Sequence, residues 1–255
     1  LKPDGNGKLS KRDKSGIPMF PLNWYDERTN ESYVGYRESG FFHEAFINML
    51  AMLGWNPGTP QEIFTKEELI QAFTFERVNK SGAKFDPEKT KWYNQQYLRK
   101  KSDEELAEMF KPLLIEKLDG NQESSINNQQ YLQGVCRLVK EKSHFVSEFW
   151  ESGKFFFIAP TSYDEKVISK KWHENSKNIF NKLIEEFNSS SSWDAATIHT
   201  AITNTETALS AKIDLQLLRV LVSGVAGGPA IHEMLELIGK DEIAKRINTA
   251  IDNLK

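Results

Sequence analysis

Cysteine is almost missing from this chain: among 255 residues there is only Cys136. A single thiol excludes an internal disulfide framework and any zinc site built from cysteine pairs, and is the usage expected in a reducing cytoplasm. Cys136 sits in an apolar stretch and reads as a small buried hydrophobe. No apolar run is long enough to span a membrane, and the first residues lack the apolar core of a signal peptide, so a cytoplasmic, membrane-free protein is expected. Excess positive charge is missing too. With 33 Lys and Arg against 36 Asp and Glu the net charge is −3, which excludes binding to nucleic acid by bulk charge. Any such contact must use local patches: Lys8 to Lys14, Arg99-Lys100-Lys101, Lys140 with Lys142, or Lys170-Lys171. Each of these, taken alone, is more often a solvated helix end.

What is present is a head and a series of helices. The head is Lys8-Leu9-Ser10-Lys11-Arg12, flanked by Gly5, Gly7 and Gly16. Glycine allows close backbone approach and lysine supplies a flexible point charge, so such a loop can wrap a polyphosphate. Five residues alone are weak grounds for that role. Ile17 to Trp24 reads as a short extended segment whose prolines confine it to an edge strand or loop. Beyond it almost every periodic segment is helical. Thr65 with Glu68, and Ser102 with Glu105, are capping boxes, and Phe64 is placed to staple against Leu69. Asp86-Pro87 is an N-cap followed by proline at the first helical position. Leu106, Met109, Phe110, Leu113 and Leu114 are at core spacing, and Pro112 is expected to kink or split their helix. Further helices are expected near 127–140, 143–152, 164–187, 193–208, 211–223, 229–238 and 241–254. The expected fold class is mainly α, with a short β or extended segment near the N-terminus.

Several ordered segments resemble the carboxy-terminal half of the bacterial glutamyl–tRNA synthetase family, class I aminoacyl-tRNA synthetases. Lys8 to Arg12 resembles the lysine–methionine–serine–lysine–serine loop of that class. Tyr36-Arg37-Glu38-Ser39-Gly40-Phe41, then Glu44 to Trp55, then Phe75 to Asp86, and Lys89-Thr90-Lys91-Trp92-Tyr93-Asn94 resemble the segments that follow it. Leu218 to Gly224 and Gly228-Pro229-Ala230-Ile231 resemble the distal anticodon-binding lobe. The resemblance implies a loop and stem-contact helical domain at 1–102 and an all-helical, two-lobed anticodon-binding domain, with a proximal lobe at 103–160 and a distal lobe at 161–255. The nucleotide-binding domain with its His-x-Gly-His signature is expected to be absent, since none of the five histidines lies in that pattern.

The same resemblance implies roles. Lys11 would contact the triphosphate of ATP as the main catalytic cation, with Lys8 in support and Ser10 and Arg12 completing the ATP-binding loop. Arg219 would read the first anticodon base, with Gly228, Pro229 and Ile231 forming the adjoining pocket. Lys142 stands where the family often has an arginine that touches the third anticodon base, so the bidentate fork is lost there. Arg77, Lys80, Lys91 and Asn94 would contact the tRNA backbone at the acceptor stem and D arm. Plainer readings accompany these: Arg219 as a snorkelling or salt-bridged helix residue, Lys142 as an exposed helix end, Pro229 and Ile231 as a helix start, and Trp92 as core. The parent activity would be glutamate–tRNA ligation using ATP and Mg2+. This chain would bind tRNA(Glu), hold no cofactor, act as a monomer without DNA, and be inactive alone. The alternative is a stand-alone helical RNA-binding or interaction module without catalysis. With no phosphate to order it, the segment 1–14 is expected to be mobile.

Overall fold

In a computed structural model, residues 1, 2, 4, 7–10, 18–118 and 123–254 are described. The chain is mostly helical, with a two-stranded sheet near the N-terminus. It divides into two compact units. One is Leu1–Glu105 with Lys140–Glu148, the other Leu106–Val139 with Phe149–Lys255. None of the described helices is long and apolar enough to cross a membrane.

The first unit opens with a hairpin, β1 (Trp24–Asp26) antiparallel to β2 (Glu31–Tyr33), with Trp24 opposite Tyr33. Two strands alone are marginal, and here a ring cluster supports them: Phe20 lies 4.8 Å from Trp24 and 5.5 Å from Tyr33. Gly35 is required where the hairpin closes, since a Cβ there would lie 2.1 Å from a Leu22 backbone carbon. Helix α1 (His43–Met52) packs on α3 (Pro87–Lys100), and α2 (Lys66–Ala72) follows α1. The caps are the expected ones. Thr65 and Glu68 bond reciprocally, and Asp86 accepts from the Glu88 and Lys89 amides ahead of Pro87. Phe64 and Leu69 share a small core with Trp55. The larger core is Tyr36, Phe41, Met49, Phe85 and Tyr93, with Leu9 and Phe145 packed against it.

Two buried amides fasten this unit. Asn48 accepts from the Phe64 amide at 2.7 Å and the Tyr97 hydroxyl at 2.7 Å, and donates to the Glu62 carbonyl at 2.9 Å. Asn94 accepts from the Phe42 amide at 2.8 Å and donates to the His144 carbonyl at 2.7 Å. Of the N-terminal segment 1–14, expected to be mobile, residues 11–14 lie outside the described residues, and Leu1 and Leu9 bond and pack within the unit. The Leu1 ammonium donates to the Ala83 carbonyl at 2.8 Å, the Phe85 amide donates to the Leu1 carbonyl at 3.1 Å, and Leu9 is packed on the core.

Helix α4 (Asp103–Leu118) is opened by the Ser102–Glu105 capping box. Pro112 neither ends nor divides it. Pro112 and Glu108, whose carbonyl loses its usual partner, both lie on the exposed face, where water replaces the missing bond. Leu106, Phe110 and Leu114 are fully buried as expected, but Met109 is exposed. The second unit continues with α5 (Glu123–Asn127), α6 (Gln129–Val139), α7 (Phe149–Gly153), α8 (Glu165–Lys171), α9 (Ser176–Ser189), α10 (Ala195–Leu209), α11 (Leu215–Ser223), α12 (Ile231–Ile238) and α13 (Lys240–Asn253). The single helix expected over 164–187 is two: α8 ends at Lys171 and α9 begins at Ser176, whose Oγ accepts the His173 amide at 2.9 Å. The interior holds Phe149, Phe180, Leu183, Phe187, Ile198, Leu218 and Leu221, all fully buried. The lobes expected on either side of Pro160 belong to one unit here: α6 packs on α12, and Arg246 of α13 donates to the Phe155 carbonyl at 2.7 Å. Residues 140–148 belong with the first unit instead.

Candidate nucleic-acid interface

The clearest site is built on α11. Asp214 caps it, accepting from the Gln216 and Leu217 amides at 2.9 Å each, and Lys171 holds the cap from α8 with Nζ 2.8 Å from the carboxylate. Burial pushes the Asp214 carboxyl up, but the Lys171 and amide hydrogen bonds outweigh it and the net shift is downward. The cap therefore stays ionised at neutral pH and favours the helix N-terminus. Leu217, Leu218, Val220, Leu221 and Val222 are buried, which fixes the rotation of the helix and leaves Arg219 half-buried. Gly224 ends α11 in the left-handed region (φ +81°), and a Cβ there would meet the Ser162 carbonyl oxygen at 2.7 Å. Ser223 Oγ donates to the Arg219 carbonyl at 2.8 Å and orders the exit.

The chain then returns to Arg219. Gly228 has φ +153°, and a Cβ built on it would lie 3.0 Å from Arg219 Nη1 and 3.8 Å from the Phe155 ring. Ile231 is buried at the start of α12, with Ala230 rather than Pro229 in the capping position. Met234 Sδ lies 3.7 Å from Arg219 Nη1, a soft acceptor. Among the described residues no carboxylate pairs with Arg219, so its salt-bridged reading does not hold. Burial lowers its pKa from the ordinary value, which is the signature of a charge kept partly dry without a counter-ion. The Arg219 guanidinium thus lies beside the Gly228 backbone and Met234, with Pro229 and Ile231 following Gly228 in the chain.

The other expected residues lie elsewhere. Lys142 ends a 3-10 turn (Lys140–Lys142), is exposed, and belongs to the first unit, whereas Arg219 and Gly228 belong to the second. Arg77 and Lys80 are exposed. Arg77 donates to the Pro57 carbonyl and lies against Gly58. Lys91 pairs with Glu88 at 3.0 Å. Asn94 is fully buried with its amide engaged by backbone, so it holds the fold and is not a surface contact to RNA. Lys8 and Ser10 are exposed, while Lys11 and Arg12 lie outside the described residues. Among the described residues no group of three or more His, Cys, Asp or Glu side chains is arranged to hold a metal ion. Met234 and Phe155, which complete the Arg219 feature, carried no signal in the sequence beyond core periodicity.

Residues 5–92 match the family model for the catalytic domain of class I tRNA synthetases (E and Q), and residues 105–251 match the family model for the anticodon binding domain. By the second match, which spans more than half its length, the chain belongs to the anticodon binding domain family. The glutamate–tRNA ligase of Flavobacterium psychrophilum is 47% identical over 100% of this chain and 50% of its own length. That of Porphyromonas gingivalis is 41% identical with the same coverage. The crystal structure of a glutamate tRNA ligase from Elizabethkingia meningosepticum in complex with its amino acid superposes with a TM-score of 0.91 at 41% identity, over 100% of this chain and 50% of that one. The chain therefore spans about half the length of the curated relatives it matches. One expectation is corrected: the chain is expected to be a carboxy-terminal half without the catalytic domain, its residues 1–102 a loop and stem-contact domain, yet residues 5–92 fall inside the catalytic-domain family model.

Proposed function

We propose that this chain works within a glutamate–tRNA ligase, binding tRNA(Glu) and presenting it for ATP-dependent charging with glutamate. The observation that carries the reading is Arg219: a half-buried guanidinium without an acidic partner among the described residues, backed by a glycine that leaves room beside it. Its planar donors suit a base edge. In this reading Arg219 with Gly228, Pro229 and Ile231 reads the first anticodon base, and Lys142 approaches the third. Arg77, Lys80 and Lys91 contact the tRNA backbone, which positions the RNA without reading sequence. The loop and stem-contact part is residues 1–102, the anticodon-binding part residues 103–255. Lys11, supported by Lys8, Ser10 and Arg12, stabilises charge on the phosphates of ATP, which arrives with Mg2+. The protein acts as a cytoplasmic monomer. At half the length of its relatives, the chain alone carries out no glutamate-dependent pyrophosphate exchange.

The test is binding of the chain to tRNAs that differ only at the first anticodon base. Arg219→Ala should remove about 1–3 kcal/mol of preference for the cognate base, the scale of a lost base-edge contact. A uniform loss on every tRNA with a shallower salt dependence would make Arg219 a phosphate contact instead. An intact first-base preference would remove it from the site.

A further inference from the structure

Arg246 is 4% exposed and sits on α13, far along the chain from the Arg219 feature. Its Nη1 donates to two carbonyls, that of Phe155 at 2.7 Å and that of Val222 at 3.1 Å, while Nε is 2.7 Å from Glu242 Oε1 on its own helix. Both carbonyls belong to the frame of Arg219. Val222 lies in the last turn of α11, where helix carbonyls have no partner within the helix, and Arg219 is one turn before it. Phe155 is buried, and its ring is the second surface against which a Cβ on Gly228 would press. The same amino group thus fixes the helix that carries Arg219 and the aromatic wall behind Gly228.

We propose that Arg246 is a positioning residue for base discrimination: it touches no RNA, and it holds the Arg219 guanidinium and the Gly228 backbone in register by bridging the Phe155 and Val222 carbonyls. The inference rests on the reading of Arg219 as a base-reading residue. Two features favour this role over a purely structural one. Buried helix-terminal carbonyls are commonly satisfied by local caps, whereas Arg246 is buried to reach two segments that meet at Arg219. And a guanidinium engages two carbonyls in a fixed plane, which an ammonium does not.

The experiment compares the chain with Arg246→Lys, Arg219→Ala and the double variant, measuring affinity for tRNAs that differ only at the first anticodon base. Circular dichroism confirms that each is folded at the assay temperature. Arg246→Lys should reduce the ratio of cognate to non-cognate affinity about tenfold, leave the salt dependence unchanged, and have no further effect on the ratio once Arg219 is alanine. A folded Arg246→Lys with an unchanged ratio overturns the proposal, as does an equal loss with and without Arg219. If Arg246→Lys does not fold, Glu242→Gln replaces it; this frees Nε to swing while keeping both carbonyls within reach. The ratio should again fall, and a folded Glu242→Gln with an unchanged ratio overturns the proposal. Failure of Arg219→Ala to alter the ratio is the separate result that defeats the underlying reading.

Discussion

In the first unit two buried amide side chains reach across elements, while the buried Thr90 and Asp26 bond locally. Asn48 joins α1 to the segment before α2 and to α3, and Asn94 joins α3 to the start of α1 and to His144, some fifty residues away. In the second unit the buried Thr205 and Ser223 bond to carbonyls of their own helices and the buried Ser176 accepts the nearby His173 amide, while Arg246 reaches the Phe155 carbonyl of another element. One region is thus tied together by side chains bonded to loop backbone around modest aromatic clusters. The other is held by helix faces buried against each other. A cross-element amide fixes loops that lack periodic apolar faces; a helix bundle needs no such ties, because repeated burial already sets its register.

Substitutions should separate the two modes. The largest effect is expected from Phe187→Ala in α9, a fully buried ring in the second unit. It should cost about 3–5 kcal/mol, read by urea unfolding, with secondary structure outside that unit retained. Asn94→Ala in the first unit should cost about 3 kcal/mol although it deletes little apolar area, because it strands the Phe42 amide and the His144 carbonyl. A cost below about 1 kcal/mol would show that the amide ties are incidental. Thr65→Ala should cost about 1 kcal/mol by removing one half of a capping box, and melting of α2 by amide exchange should register it.

The smallest effect at neutral pH is expected from Tyr93→Phe. Its buried hydroxyl has no hydrogen-bond partner among the described residues, so its loss is nearly neutral there. Burial first, then the Glu62 charge, pushes the Tyr93 hydroxyl above the ordinary 10.0, and burial pushes Tyr36 and Tyr97 up to about 12. Each raised pKa gives stability that is fully present below pH 10 and lost as pH rises through the folded value. Thermal melts should therefore fall from pH 10 toward 12, and Tyr93→Phe should make that fall shallower. An identical fall in the variant would show that Tyr93 does not ionise on unfolding.

Local rules were readable in the sequence. Thr65, Asp86 and Ser102 announce their caps because a cap is decided within four residues, and α6 and α9 to α13 follow from apolar spacing. What was misread depended on distant partners. Pro112 is expected to kink or split α4; it does not split it, and the exposed position that allows this is invisible in a linear pattern. One helix is expected over 164–187, and the break at Trp172 to Asn175, closed by the His173 amide on Ser176 Oγ, has no signal in a serine that looks like any other. Asn94 was assigned to RNA because an amide that serves a nucleotide and one that serves a carbonyl are chemically alike. Arg219 with Gly228 was legible only through family resemblance. Arg246 was missed, since an arginine four residues after Glu242 reads as a surface ion pair.

The stretch Lys140–Glu148 gives the first unit Lys140, whose Nζ is 2.7 Å from Asp103, and Glu141, whose carboxylate is 3.2 Å from Arg99, besides the His144 carbonyl. Yet the residues on both sides of it in sequence belong to the second unit. The gene order is therefore interleaved: the chain leaves the first unit, comes back to it once, and leaves again. Neither unit is a transferable cassette. A recombination or truncation at the obvious seam near residue 105 would export the first unit without one of its own walls, so shuffling of this region between relatives should succeed only when all three boundaries, after Glu105, Val139 and Glu148, are respected together.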